Sequence, residues 1–141
     1  MKSRDSKNIL LFALLITFTI FYSCIKENQN PVIISDQLEG TWELETSFNG
    51  TTGQSKEYSK GNGNMLTFTN SNYKIYSSGT LMKSGTFQIV KEESVLTKEI
   101  VDKIVYDQEI NSIKIYIKIE NNRLIYAVDA FDGPSSIYQR K

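Results

Sequence analysis

From residue 38 onward, apolar and polar side chains alternate with a period close to two. In Thr41-Trp42-Glu43-Leu44-Glu45-Thr46-Ser47-Phe48, Trp42, Leu44 and Phe48 fall on one face, and Glu43 and Glu45 on the other. The segment Ile113-Lys114-Ile115-Tyr116-Ile117-Lys118-Ile119-Glu120 is plainer still, with four isoleucines pointing one way and Lys, Tyr, Lys and Glu the other. Such alternation belongs to strands whose sheet has one buried and one wet face. Turn-forming residues separate the apolar runs at Asn49-Gly50, Gly61-Asn62-Gly63-Asn64, Asn70-Ser71-Asn72, Ser78-Gly79, Asn121-Asn122 and Asp132-Gly133-Pro134. Between these marks the pattern predicts eight strands, near 41–48, 65–69, 73–77, 81–90, 103–109, 113–120, 123–129 and 135–140.

The stretch from Glu92 to Ile100 reads equally as a short helical turn or another piece of strand. Most connections are two to five residues long, so neighbouring strands pair as hairpins in a meander. The expected fold is therefore all-β: an eight-stranded antiparallel up-and-down barrel, which closure frees of exposed edges. A flattened two-sheet sandwich is the less favoured arrangement.

The beginning of the chain follows another rule. Lys2, Arg4 and Lys7 precede fourteen uncharged residues, Ile9 to Tyr22. A helix that spans a bilayer needs about 20 apolar residues, whereas the apolar core of a signal peptide is shorter. Ser23 and the chain's single cysteine, Cys24, come immediately after. This junction resembles the lipobox of bacterial lipoproteins. The resemblance implies cleavage before Cys24 and lipidation of its thiol with diacylglycerol, with acyl chains such as palmitate holding the protein on the membrane. Residues 1–23 are then a signal peptide, residues 24–36 a flexible tether rich in polar residues, and residues 37–141 the barrel domain.

Composition narrows the chemistry. The chain carries 16 basic and 16 acidic residues, no histidine and one cysteine. Without histidine there is no Ser-His-Asp or Cys-His dyad and no ordinary zinc site, and one cysteine allows no intrachain disulfide. Removing residues 1–23 takes away Lys2, Arg4, Asp5 and Lys7, so 13 positive and 15 negative charges remain on 118 residues. A mildly acidic domain of this kind is not expected to bind nucleic acid.

Glu43 and Glu45 lie two apart on one strand and point away from the apolar face, so they read as a solvated outer wall and not a general-acid pair. Asp129 and Asp132-Gly133 share a loop but lack the spacing of a calcium loop, and Glu92-Glu93 reads as a charged turn. No metal, cofactor or catalytic residue is expected, and the chain does not read as an enzyme. Among the aromatics, Phe48, Phe68, Tyr73, Phe87 and Tyr126 alternate as core residues do, while Tyr76, Tyr116 and Tyr138 are expected to face outward.

Leu38-Glu39-Gly40-Thr41-Trp42 at the first strand resembles the Gly-x-Trp signature of lipocalins, and Arg140 in the last strand is a second lipocalin-like feature. With Gly85-Thr86-Phe87 in the middle, the segment 38–141 is similar to the small lipocalin-like lipoproteins of the Bacteroidota type. The resemblance implies that Trp42 plugs the closed end of the barrel and Arg140 packs across its indole. It also implies a protein lipid-anchored in the cell envelope at the outer membrane through Cys24, binding a small hydrophobic ligand in the barrel. The alternative is an interaction or scaffold module with a solid core and an envelope protein as partner.

Overall fold

The computed structural model describes residues 34–109, 113 and 115–141; the expected signal peptide, Cys24 and the expected tether up to residue 33 lie outside the described residues, while residues 34–36 of that tether begin a short helix. A five-residue helix, α1 (Ile34–Leu38), precedes the strands β1 (Gly40–Asn49), β2 (Gln54–Glu57), β3 (Met65–Thr69), β4 (Asn72–Ser77), β5 (Thr80–Glu93), β6 (Ile100–Tyr106), β7 (Ile115–Glu120), β8 (Arg123–Val128) and β9 (Ser135–Arg140). The strand pattern of the sequence reappears with ends moved by a few residues. The ambiguous stretch is the end of β5, a turn, and the first residue of β6.

Among the described residues all strands join one antiparallel sheet in the order β2-β1-β3-β4-β5-β6-β7-β8-β9, and β1 also pairs with β9. The sheet is thus a closed eight-stranded barrel of β1 and β3 to β9, with β2 as an extra strand. On one edge β1 pairs first with β3, from Gly40 to Glu43, and then with β2, from Thr46 to Asn49. Its other edge pairs with β9 from Trp42 to Phe48. Likewise, β5 serves β4 with residues 80–86 and β6 with residues 87–93. Strands shared in succession by two neighbours give the stagger that closure of a tilted barrel requires. Two-residue turns at Ser78-Gly79 and Asn121-Asn122, each with positive φ at both residues, match the twist of their hairpins.

The inward faces meet in one layer to which every barrel strand contributes. Trp42, Leu66, Phe68, Tyr73, Phe87, Ile104, Ile117 and Leu124 are buried there, and Tyr138 of β9 packs against them. Burial of each such side chain is worth about 1.5–3 kcal/mol. Tyr73 lies opposite Gly85, where a Cβ would fall 1.9 Å from Asp107 Oδ1 and 3.0 Å from the Tyr73 ring. The missing side chain lets the Tyr73 hydroxyl donate to Asp107 Oδ2 at 2.8 Å.

Three expectations are corrected. Phe48 does not share the face of Trp42 and Leu44, because the register with β9 shifts between Leu44 and Thr46. A one-residue bulge reverses the alternation beyond it, and Phe48 emerges on the outer side, 39 % exposed. Tyr138 points inward, since it pairs with the core residue Leu124 on one side and with Leu44 on the other. Ile113 precedes β7, is not held by its pleat, and stands exposed. The polar strand β2 carries no apolar alternation and was not anticipated; it forms because β1 outruns β3.

Phe48→Ala should therefore cost less than about 1 kcal/mol, whereas Phe68→Ala should cost about 3–5 kcal/mol by urea denaturation.

Candidate functional site

At one end of the barrel α1 lies against β7, its Leu38 is buried, and its Ile34 packs on the core. The Trp42 indole N–H donates to the Leu38 carbonyl at 2.8 Å. The Arg140 guanidinium lies 4.2 Å from the centre of the Trp42 ring and donates to the carbonyls of Glu39 (2.6 Å) and Gln37. Gly40 has φ +122°, and a Cβ there would fall 2.8 Å from Arg140 Nη1. The Gly-Thr-Trp triplet and the late arginine are thus one object: glycine makes room for the cation that covers the indole and fastens α1.

Above the core layer the bore holds tyrosines. Tyr73 and Tyr106 have ring centres 4.4 Å apart, and the Tyr126 hydroxyl donates to that of Tyr106 at 3.0 Å. Tyr126 and Tyr138 meet edge to face at 6.0 Å. Burial raises the phenol pKa of Tyr106 and Tyr126, and pushes that of Tyr138 up to about 12, so all three stay neutral in the physiological range.

The opposite end is the mouth, formed by the C-terminal ends of β1, β4, β6 and β8 and their connections. Phe48, Leu81, Met82, Ile113 and Phe131 stand here, between 39 % and 84 % exposed. The turn after β1 packs on the Asp132–Gly133 backbone, which brings the segments bearing Phe48 and Phe131 together.

On the outer wall, Glu43 accepts from the backbone N–H of Gly61 (3.1 Å) and Gly63 (3.4 Å), and the Gly61 bond is the chief cause of its lowered pKa. Glu45 receives a bidentate pair of bonds from Arg123 at 2.8 and 2.7 Å, which lowers its pKa. Both glutamates point outward, as their alternation with Trp42 and Leu44 requires. With Glu57, Tyr58, Lys60 and Lys141 they border a cavity of about 530 Å³ that lies outside the barrel.

A second outer feature has no signature in the sequence. β6 pairs with β7 from Asp102 to Ile104, but Ile100 and Val101 have no partner on β7 although that strand runs on to Glu120. The tip of the β5–β6 hairpin leaves the wall here and folds across the outside of β7 and β8. Lys103 and Asp129 pin it with a 2.8 Å ion pair, each side chain only 5 % exposed. Ser94 Oγ donates to Asp129 Oδ1 at 2.7 Å, the Val95 N–H to Oδ2 at 2.9 Å, and Lys103 Nζ also donates to the Glu93 carbonyl at 3.1 Å. Burial alone would raise the Asp129 pKa, but the bonds from Lys103, Val95 and Ser94 outweigh it and hold the carboxyl at about 2. The oxygens of Asp129 are thus committed to Lys103 and the flap. Among the described residues there is no group of three or more Cys, Asp or Glu placed to hold a metal ion.

Of the residues singled out in the sequence, Trp42 and Arg140 are brought together, Glu43 and Glu45 lie apart from the bore, and Cys24 lies outside the described residues. No protein-family model, curated protein or solved structure matches the chain.

Two outcomes follow. Arg140→Met removes a cation–π contact and charge-assisted bonds, and should cost about 2–4 kcal/mol by denaturation followed through the fluorescence of Trp42, the only tryptophan. The Asp129 pKa lies below its ordinary 3.8, so the stability it contributes is full above pH 4 and lost as pH falls through 2. Asp129→Asn, which leaves the buried Lys103 with only the more distant Glu92 carboxylate at 3.7 Å, should cost about 3 kcal/mol at pH 7 and flatten that acid limb.

Proposed function

We propose that the chain is a lipocalin-like lipoprotein, anchored to an envelope membrane through Cys24, that works as a docking module and presents its barrel mouth to another envelope protein. The observation that carries this reading is the occupied bore: every barrel strand sends a side chain into one core layer, and Tyr106, Tyr126 and Tyr138 pack against it. Bulky apolar side chains stand in water instead, around the mouth. Exposed apolar clusters of this kind mark contact surfaces.

The described chain begins at the α1 end, and the mouth lies at the opposite end of the barrel, so a tether attached at α1 leaves the mouth free for another protein. A small apolar ligand seated in the mouth is the second reading, supported by the same apolar rim.

Photo-crosslinkers at positions 82 and 131 in cells should capture the same partner, and one at Lys74 on the outer wall should not. Met82→Asp with Phe131→Asp should reduce capture at least tenfold while leaving fatty-acid labelling of Cys24 intact. A stoichiometric apolar molecule in native mass spectra, with NMR contacts to Tyr106 and Tyr126, would overturn docking in favour of the ligand reading. Fatty-acid label retained by Cys24→Ser would remove the anchor.

A further inference from the structure

We propose that the space beneath the β5–β6 flap is a binding site for a small neutral single-ring molecule of phenol type, independent of the mouth. The flap and the outer wall enclose a half-open cavity of about 170 Å³. A closed apolar cavity near 150 Å³ is enough to hold benzene. The walls have the required character: Val101, Tyr116 and Ala127 from β6, β7 and β8, with Leu96 from the flap above.

The space persists for a structural reason. Ala127 lies directly opposite Tyr116 in the β7–β8 register, and its single methyl leaves the floor low. The roof cannot settle onto it, because the Lys103–Asp129 pair and the bonds from Ser94 and Val95 fix the height of the flap. Ser94 Oγ in turn accepts from the N–H groups of Leu96 (3.1 Å) and Thr97 (3.2 Å), which makes the turn rigid. A void held open by satisfied polar pins differs from a loose fit, which would relax.

The polar groups select within that size class. Among the described residues the Tyr116 hydroxyl has no protein hydrogen-bond partner, so it can bond one hydroxyl or carbonyl of a ligand. Glu99 at the border and Asp129 at the floor disfavour an anion, while Lys103 is already committed to Asp129 and offers no free charge to attract one. Leu96, which lines the cavity from the flap, is 45 % exposed, apolar surface that a bound ring would partly cover.

The test is a ¹⁹F NMR titration of the full chain with 4-fluorophenol, with 4-fluorobenzoate as the anionic control. Saturable binding of 4-fluorophenol at one site, at least tenfold tighter than the benzoate, is expected. Ala127→Phe fills the floor and should weaken binding at least tenfold, Leu96→Ala on the exposed flap should weaken it severalfold, and Met82→Ala at the mouth should leave it unchanged. Absence of saturable binding overturns the proposal, as does wild-type affinity in an Ala127→Phe protein with a cooperative melting transition. If Ala127→Phe does not fold, Leu96→Ala decides, and unchanged affinity there overturns the site.

Discussion

The domain depends on β1 having hydrogen-bonded neighbours on both edges. Its ten residues reach β3 and β2 on one side and β9 on the other, and this single double pairing turns a meander into a barrel. Closure satisfies backbone groups that would otherwise form two long open edges, and it brings the inward faces of all eight strands to one layer. The bulge beside Glu45 allows the strand to serve both ends: before it, Trp42 and Leu44 face the core, and after it the inward positions pass to other residues. Trp42 stands where this strand begins. The fastening of α1 by Arg140 is then the natural closure of that end, because the first strand and the last run side by side there.

The interior and the wall divide the physical work. Inside, apolar and aromatic side chains line the bore, where the Tyr126 hydroxyl bonds that of Tyr106 and the Tyr73 hydroxyl bonds Asp107. Outside, charge fixes position. A buried ion pair contributes little net stability compared with apolar side chains of the same shape, yet removing one partner is costly. Lys103 and Asp129 therefore act as a locator that holds the hairpin tip over β7 and β8 in one place. A neutral flap held by apolar contact alone would have several resting positions and no defined space beneath it.

The regular part of this architecture was legible in the sequence. Period-two alternation identifies Trp42, Phe68, Tyr73, Phe87, Ile117 and Tyr126 as inward residues, and short Asn- and Gly-rich turns make their strands consecutive neighbours. The pairing of Trp42 with Arg140 was legible as a resemblance, and its geometry explains why a glycine stands two residues before the tryptophan. The features that escaped share a cause: each depends on a change of phase or on a contact between distant segments. A bulge leaves no mark in the alternation of Thr46-Ser47-Phe48, so Phe48 read as core. Ile137-Tyr138 can be placed in either phase, and only pairing with Leu44 and Leu124 decides it. The flap rests on Asp129 meeting Ser94 across 35 positions, which no local pattern encodes. In the sequence, Asp129 read as part of an acidic loop.

The parting of β6 from β7 also sets how the domain breathes. Elsewhere each junction carries a longer ladder, but beyond Asp102 and Ile117 the wall between these two strands is held by side-chain packing and α1, not by paired backbone. Amide protons along Lys118 to Glu120 on that side have no ladder partner on β6, so solvent exchange begins there while the β4–β5 and β5–β6 ladders stay protected. The barrel is a ring with a seam, and local opening starts where its ladder is shortest.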